Sequence, residues 1–435
     1  MATPAQSLSI SAAKSTAGIR TEAIGAGGVG EPTRATWACL AVCVAGFLGL
    51  MALVLLSPDR LWRDEAVYLP SVPELHRLGL SRAWLRELPG PAGPLYAVVH
   101  AGLEPLTHLR PWGIRFATAG LAVLTVLALG VDLRLRGIRS PFLRAPALIA
   151  APMLGVSIGT AMTEMPALLF FCSSLAALLA ALGRAERARP AAIVLAALAG
   201  LCCGVAITGR QQFLIVPFAA VVLWRRATWR VVAVYVLFAL AVPAPIFLAW
   251  RGLVPPQTQY VGEGISIVNG LLSFCYAGLV YCLYDVSWLA RRRLLNTAVI
   301  ALAIGLNVSW GLLRRLPFHD LANRYLPPGV RPYYGLVGCG AMLGFGIIFL
   351  GLLVHLVWER RDDRFLVFLC VASVLLLAGS AKTNHIFASR YIATALPMMV
   401  IIGTERAPDT SGKAARLALG CLGGMLSLAS DLTLI

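Results

Sequence analysis

Residues 37–56 read WACLAVCVAGFLGLMALVLL, an uncharged run, and Leu61-Trp62-Arg63-Asp64-Glu65-Ala66-Val67-Tyr68-Leu69-Pro70 follows almost at once. A run of about twenty apolar residues is long enough to cross the hydrocarbon core as one helix. The acidic pair Asp64-Glu65 then falls at the first positions that can meet water. Ionisable groups this close to a bilayer are costly and point to function. The same pair would also suit the plain end of a helix, so its meaning depends on what else reaches that side.

The 435-residue chain is 59% hydrophobic and 13% charged, with mean hydropathy +0.79. A water-soluble fold has no place to hide so much apolar surface, and the composition is that of a polytopic membrane protein. The net charge of +17, from 37 basic and 20 acidic residues, sits in short clusters between apolar segments. It therefore reports topology in a lipid bilayer, and no nucleic acid is expected as a partner. The ten cysteines lie inside apolar segments without CxxC or Cys/His ligand spacing, which supports neither disulfides nor zinc.

Working outward, residues 1–35 are rich in Ala, Gly, Ser and Thr and read as a disordered cytoplasmic tail. The first apolar run begins late for a cleaved signal peptide and reads as a retained anchor. Further apolar segments follow at 111–133, 141–159, 165–183, 190–208, 212–224, 230–250, 266–289, 294–313, 334–357, 364–380, 390–404 and 416–434. The expected fold is an all-α, polytopic transmembrane bundle of about 12–13 spans. The catalytic bundle is set at residues 36–405, and a cytoplasmic linker with the last transmembrane helix at 406–435.

Alternate connections carry basic clusters: Arg134 to Arg144, Arg184 to Arg189, Arg225 to Arg230, Arg291 to Arg293, Arg360 to Arg364, and Arg406 to Arg416. The excess of arginine makes these connections, and the N-terminus, cytoplasmic. The opposite connections are then extracytoplasmic. The first, 57–110, holds Asp64 and Glu65 and the run Pro89-Gly90-Pro91-Ala92-Gly93-Pro94-Leu95-Tyr96. Its stretch Leu95 to Leu106 is too short to span and reads as a surface helix. The others carry Thr163-Glu164, Arg210-Gln211-Gln212, Gln257 to Tyr260, His319 to Tyr325, and Lys382 to Tyr391.

No connection is long enough for a soluble nucleotide-binding domain, and no phosphate loop precedes a helix in a strand context. A lipid-linked substrate suits such a chain, because its tail stays in the bilayer while its head group meets the outer loops. Sugar transfer from a lipid phosphate needs a carboxylate to take the acceptor's proton. It needs cations to neutralise the departing phosphate, and polar groups to orient the sugar. Asp64, Glu65 and Glu164 are the candidate catalytic carboxylates. Arg210, Arg390 and Lys382 are the candidate phosphate ligands. Gln211, Gln212, Asn323, Arg324, Tyr391 and His385 are candidates for holding sugar or acceptor. On a helix Asp64 and Glu65 would point about 100° apart, so their roles should differ.

These motifs resemble the GT-C glycosyltransferases, multi-spanning enzymes with polyprenyl- or dolichyl-phosphate sugar donors and an acidic motif in the first outer loop. Within them the chain looks most like the dolichyl-phosphate-glucose α-1,2-glucosyltransferase family. Asp64-Glu65 with Leu69-Pro70, Leu88-Pro89-Gly90 with Leu95-Tyr96, and Arg115-Phe116 resemble that family's opening motifs. Thr163-Glu164, Arg210-Gln211, Leu321 to Tyr325, and Arg390-Tyr391 with Pro397 resemble its later ones. Tyr68 stands where the family has His, and an Asp is missing before Asn323. The resemblance implies inverting transfer of a hexose, glucose favoured, to a lipid-linked or other extracytoplasmic glycan, with Asp64 as general base. Some members of the superfamily use a divalent metal and others none. The competing functions are a transporter or flippase for a lipid-linked glycan and a GT-C mannosyltransferase or ligase with another donor. The nearly apolar mid-segment positions disfavour the transporter.

Overall fold

Thr33 accepts a hydrogen bond from the Thr36 amide at 3.2 Å and starts helix α1, Arg34–Leu55. In the computed structural model, residues 31–62, 64–258, 264–313, 326–383 and 387–432 are described. Most of the predicted tail lies outside them, as do the site candidates Asn323, Arg324 and His385. The connection at 57–110 folds into α2 (Asp64–Tyr68), α3 (Ser71–Leu78), α4 (Arg82–Arg86) and α5 (Leu95–Thr107). Pro111 then opens α6, Pro111–Leu135. Next come α7 (Pro141–Arg144), which continues as a 3₁₀ turn, and α8 (Pro152–Gly159). This pair is bent by 84°. Ala151 is held extended (φ −70°, ψ 117°) ahead of Pro152, as proline requires of its predecessor.

The bundle continues through α9 (Glu164–Arg184), α10 (Arg189–Gly209), α11 (Ile215–Ala219) between two 3₁₀ turns, α12 (Trp229–Ala241) and α13 (Ala244–Trp250). It closes with α14 (Ile267–Tyr284), α15 (Ser287–Arg291), α16 (Arg293–Trp310), α17 (Arg331–Glu359), α18 (Arg364–Gly379), α19 (Leu396–Arg406) and α20 (Ser411–Asp431). Among the described residues no strand occurs, and nine helices are long and apolar enough to cross a membrane, or ten with the bent pair as one span. The chain is an integral, multi-pass membrane protein.

The sequence suggested more spans, and the difference lies in helices that are too short or not apolar enough to cross on their own. The segment at 212–224 becomes a short helix, Gln211–Leu223, much of it in tight 3₁₀ turns. Within the segment at 390–404, Leu396 to Ile402 are fully buried inside the bundle. Helix α20 lies against α1 and α8 through small residues: a Cβ at Gly420 would strike the Ala150 carbonyl, and Gly155 meets Gly424 backbone to backbone. Such close approach binds helices in a medium where lipid offers no hydrophobic drive.

The arginine-rich end is tied by ion pairs rather than left as solvated loops. Arg136 holds Asp363 and Glu405, both at 2.5 Å. Asp409 meets Arg144 at 2.8 Å and Lys413 at 3.0 Å, and Arg406 meets Asp285 at 3.2 Å. Asp285, Asp363, Glu405 and Asp409 thus neutralise part of the arginine charge and lock one end of the bundle. The opposite end carries a second, smaller core of Tyr68, Leu69, Val72, Trp84, Leu88, Tyr96, Ile114 and Trp250. Trp250 Nε1 donates to the Leu85 carbonyl at 2.6 Å, and Trp84 Nε1 to Ser71 at 3.1 Å. The first bond seats the 57–110 connection on the end of α13, the second ties α4 to α3, and Ile114 brings the first turn of α6 into the same core.

Candidate active site

Four element ends meet beside that smaller core. Asp64 opens α2, Glu164 opens α9, Arg210 follows the last residue of α10, and Arg390 stands in the 3₁₀ turn Ser389–Ala395. Arg390 Nη1 donates to Asp64 Oδ2 at 2.7 Å, and its Nε lies 3.7 Å from Glu164 Oε1. Arg210 Nη2 donates to the same Glu164 oxygen. The order Asp64, Arg390, Glu164, Arg210 alternates in sign and sums to zero charge. Glu164 is almost fully buried, whereas Asp64 and Arg390 keep an exposed edge. Among the described residues, Glu164 Oε2 and Arg210 Nε have no hydrogen-bond partner. An unpaired acceptor and an unpaired donor at a buried ion chain are capacity held in reserve, because such groups are otherwise satisfied in folded proteins.

The proline- and glycine-rich run builds the wall of this site. A Cβ on Gly93 would overlap the carbonyl of Thr208, and one on Gly90 would overlap the Tyr68 ring. Only glycine lets the loop lie this close to α2 and to the end of α10. Gln211 Nε2 donates to the Pro91 carbonyl at 2.7 Å, and the Ala92 amide donates to Tyr68 Oη at 3.1 Å. Burial pushes the Tyr68 phenol up to about 12, so it stays protonated at neutral pH.

Glu65, expected to act beside Asp64, faces away from it into the protein. It is completely buried, and Arg115 of α6 donates to both its oxygens, at 2.8 Å and 2.7 Å. The Trp62 amide donates a third bond at 2.9 Å. Burial pushes the Glu65 carboxyl up, and the Arg115 fork opposes that shift. Arg115 also donates to Ser57 Oγ at 2.6 Å and to the Arg60 carbonyl at 2.8 Å. The pair therefore joins the end of α1, the start of α2 and the first turns of α6. The sequence reading gave Arg115 no role. Its signal was there: a charged residue five positions into an apolar span needs a partner.

Of the other candidates, Tyr391 stays beside the ion chain, whose four charged groups all act on its phenol. Tyr391 is buried, with its ring edge-on to Phe387 at 5.9 Å. Gln212 is half-buried in the 3₁₀ turn after Arg210 and makes no hydrogen bond among the described residues. Lys382 is exposed at the end of α18 and joins no ion pair among them. Among the described residues no three His, Cys, Asp or Glu side chains converge as metal ligands.

Behind the site, His100 is fully buried against Tyr96, ring centroids 4.3 Å apart, and neither nitrogen has a partner among the described residues. Burial lowers its pKa to about 4. The unfolded chain, with an ordinary histidine near 6.5, binds this proton first. Stability is therefore full above pH ~6.5 and falls as pH drops towards ~4, by at most about 3 kcal/mol. His100→Phe should flatten this part of the pH profile of thermal unfolding in detergent. An unchanged profile would remove His100 as its cause.

The fold is similar to the crystal structure of ArnT from Cupriavidus metallidurans bound to undecaprenyl phosphate, with TM-score 0.50 and 17% identity. The match covers 86% of this chain and 61% of ArnT. ArnT in the apo state aligns at TM-score 0.47 and 16% identity, over 85% of this chain and 60% of ArnT. The chain thus spans about three-fifths of the length of the solved structures it matches. No protein-family model matches the sequence, and no curated protein does. The likeness is one of fold: an all-helical membrane bundle.

Proposed function

We propose that this chain is a GT-C membrane glycosyltransferase that moves a sugar from a polyprenyl-phosphate donor to an extracytoplasmic acceptor. The observation that carries the reading is the Asp64–Arg390–Glu164–Arg210 chain, assembled from four distant stretches at one end of the bundle. The likeness of fold to ArnT, whose structure holds undecaprenyl phosphate, supports it. The acceptor is a lipid-linked glycan or another extracytoplasmic glycan. The motif resemblance favours a hexose, and glucose first.

In the proposed reaction Arg390 leaves Asp64 for the donor phosphate, and Arg210 joins it through its free Nε. Asp64 is then open to an acceptor hydroxyl. The hydroxyl oxygen attacks the anomeric carbon from the face opposite the phosphate, while its proton passes to Asp64. The bond between anomeric carbon and phosphate oxygen breaks, and its electron pair stays on the phosphate. That oxygen gains charge in the transition state, and two preplaced guanidinium forks stabilise it there. Inversion at the anomeric carbon follows from the single displacement. Glu164 holds the two arginines side by side before the donor arrives, and Gln211 keeps the Pro91 loop in place.

Arg390→Ala and Arg210→Ala should each lose roughly 2–4 kcal/mol of transition-state stabilisation, on the scale of removing one preorganised charge-stabilising group. Lys should restore only part, because it lacks the fork. Turnover by monodisperse purified variants is the measurement, and wild-type rates in both Ala variants would return these residues to simple snorkelling.

The arginine-rich end faces the cytoplasm in this reading, and the acidic end faces outward. In intact cells an impermeant thiol reagent should label Arg77→Cys and spare Arg361→Cys in a background without native cysteines; the reverse pattern would invert the topology. The activity itself is tested with a panel of radiolabelled polyprenyl-phosphate sugars and membranes containing the overexpressed chain. Incorporation of one sugar into glycan, above membranes without the chain, is expected. Accumulation of donor across the bilayer without transfer would favour a flippase.

A further inference from the structure

At the end of the bundle opposite Asp64, a cavity of about 210 Å³ opens where the first turns of α10 and α12 lie side by side. Arg189, Arg226 and Arg230 line it together with Ile193, Trp229 and Val231. The ion pairs that tie the rest of this end leave these three arginines out: among the described residues none of them pairs with an acid. Arg230 lies over the Trp229 ring at 5.1 Å, and the Trp224 ring stands 6.4 Å from that of Trp229. From Trp224 an apolar strip runs along the bundle surface through Val221 and Phe218, which are 53%, 60% and 60% exposed. Helix α10 sets the cavity roughly 30 Å from Arg210, at about 1.5 Å per residue. It is therefore separate from the candidate active site.

A signal for topology alone needs arginines near the membrane but no cavity between them. Here the cations surround a recess, tryptophans stand at its mouth, and an exposed apolar strip leads away from it. Tryptophan favours the height of lipid head groups, and basic pockets between helices at this depth suit anionic head groups. We infer that this recess binds an anionic glycerophospholipid, with its phosphate among Arg189, Arg226 and Arg230 and an acyl chain along Trp224, Val221 and Phe218. The site supplies lipid-dependent anchoring of α10 to α12 and stands whether or not the proposed transfer reaction is correct.

The test uses the full chain purified in detergent and titrated with phosphatidylglycerol or phosphatidylcholine, with bound lipid counted by native mass spectrometry. Phosphatidylglycerol should bind in preference. Arg226→Gln with Arg230→Gln should weaken it on the order of 20- to 30-fold, from about fivefold per arginine. The matching pair of Lys replacements should keep most of the binding, which separates lost charge from lost fold. Equal binding of the two lipids, or unchanged binding in the Gln pair, would overturn the inference. So would loss of binding in Arg390→Gln instead, which would put the lipid at the other end. Inorganic phosphate that displaced phosphatidylglycerol as well as the lipid itself would make this a site for free phosphate and also overturn it.

Discussion

Asp64→Asn should abolish sugar transfer while leaving the bundle folded and the donor bound. The side chain keeps its shape and loses its ability to take a proton. Positioned general bases contribute about 10²–10⁴-fold, so the rate should fall by at least that factor. Donor affinity should hold or improve, because Asp64 and the donor phosphate compete for Arg390, which now bonds Asp64 at 2.7 Å. Removing the competing charge frees the fork. The check is turnover and donor binding on the same monodisperse preparation, with Glu65→Gln measured beside it. An active Asp64→Asn would remove it as the base and leave the acidic pair as a helix-end marker.

Arg115→Met should be the most damaging change to stability near the site. It strands the Glu65 carboxylate in a position with no exposure, and breaking one partner of a buried ion pair costs about 3–5 kcal/mol. The same change removes bonds to Ser57 and Arg60, which fix where α1 hands over to α2. Asp64, at the start of α2, would lose its placement as well. Glu65→Gln with Arg115→Met leaves no buried charge and should recover part of the loss in thermal unfolding. Its transfer activity should stay low, because the missing bonds position the base. If the single variant unfolded like wild type, the pair would not hold this end of the bundle. If the double variant regained full activity, Arg115 would have no positioning role.

The class of fold was legible because membrane physics writes it into composition. Uncharged runs had to be helices, and arginine clusters on alternate connections marked one end. The number of spans was less legible. Leu396 to Ile402 are enclosed by other helices, whereas α20 packs through Gly420 and Gly424 and still keeps Leu419 and Leu422 exposed. At the site, Asp64, Glu164, Arg210 and Arg390 stood out as charged residues at the ends of apolar runs. Their pairing did not, because it is made between helices far apart in sequence. The inward direction of Glu65 was not legible, for a local reason. Adjacent residues on a helix turn point in different directions, and only the distant Arg115 decides which of the two faces inward.

The central claim is that Arg390 guards the base until a lipid phosphate draws it away. A structure of the chain saturated with undecaprenyl phosphate, in lipid nanodiscs, measures this directly. The account predicts phosphate oxygens within hydrogen-bond distance of Arg210 and Arg390, and Asp64 released from the 2.7 Å contact it now makes. Phosphate bound elsewhere, with Arg390 still on Asp64, would contradict it.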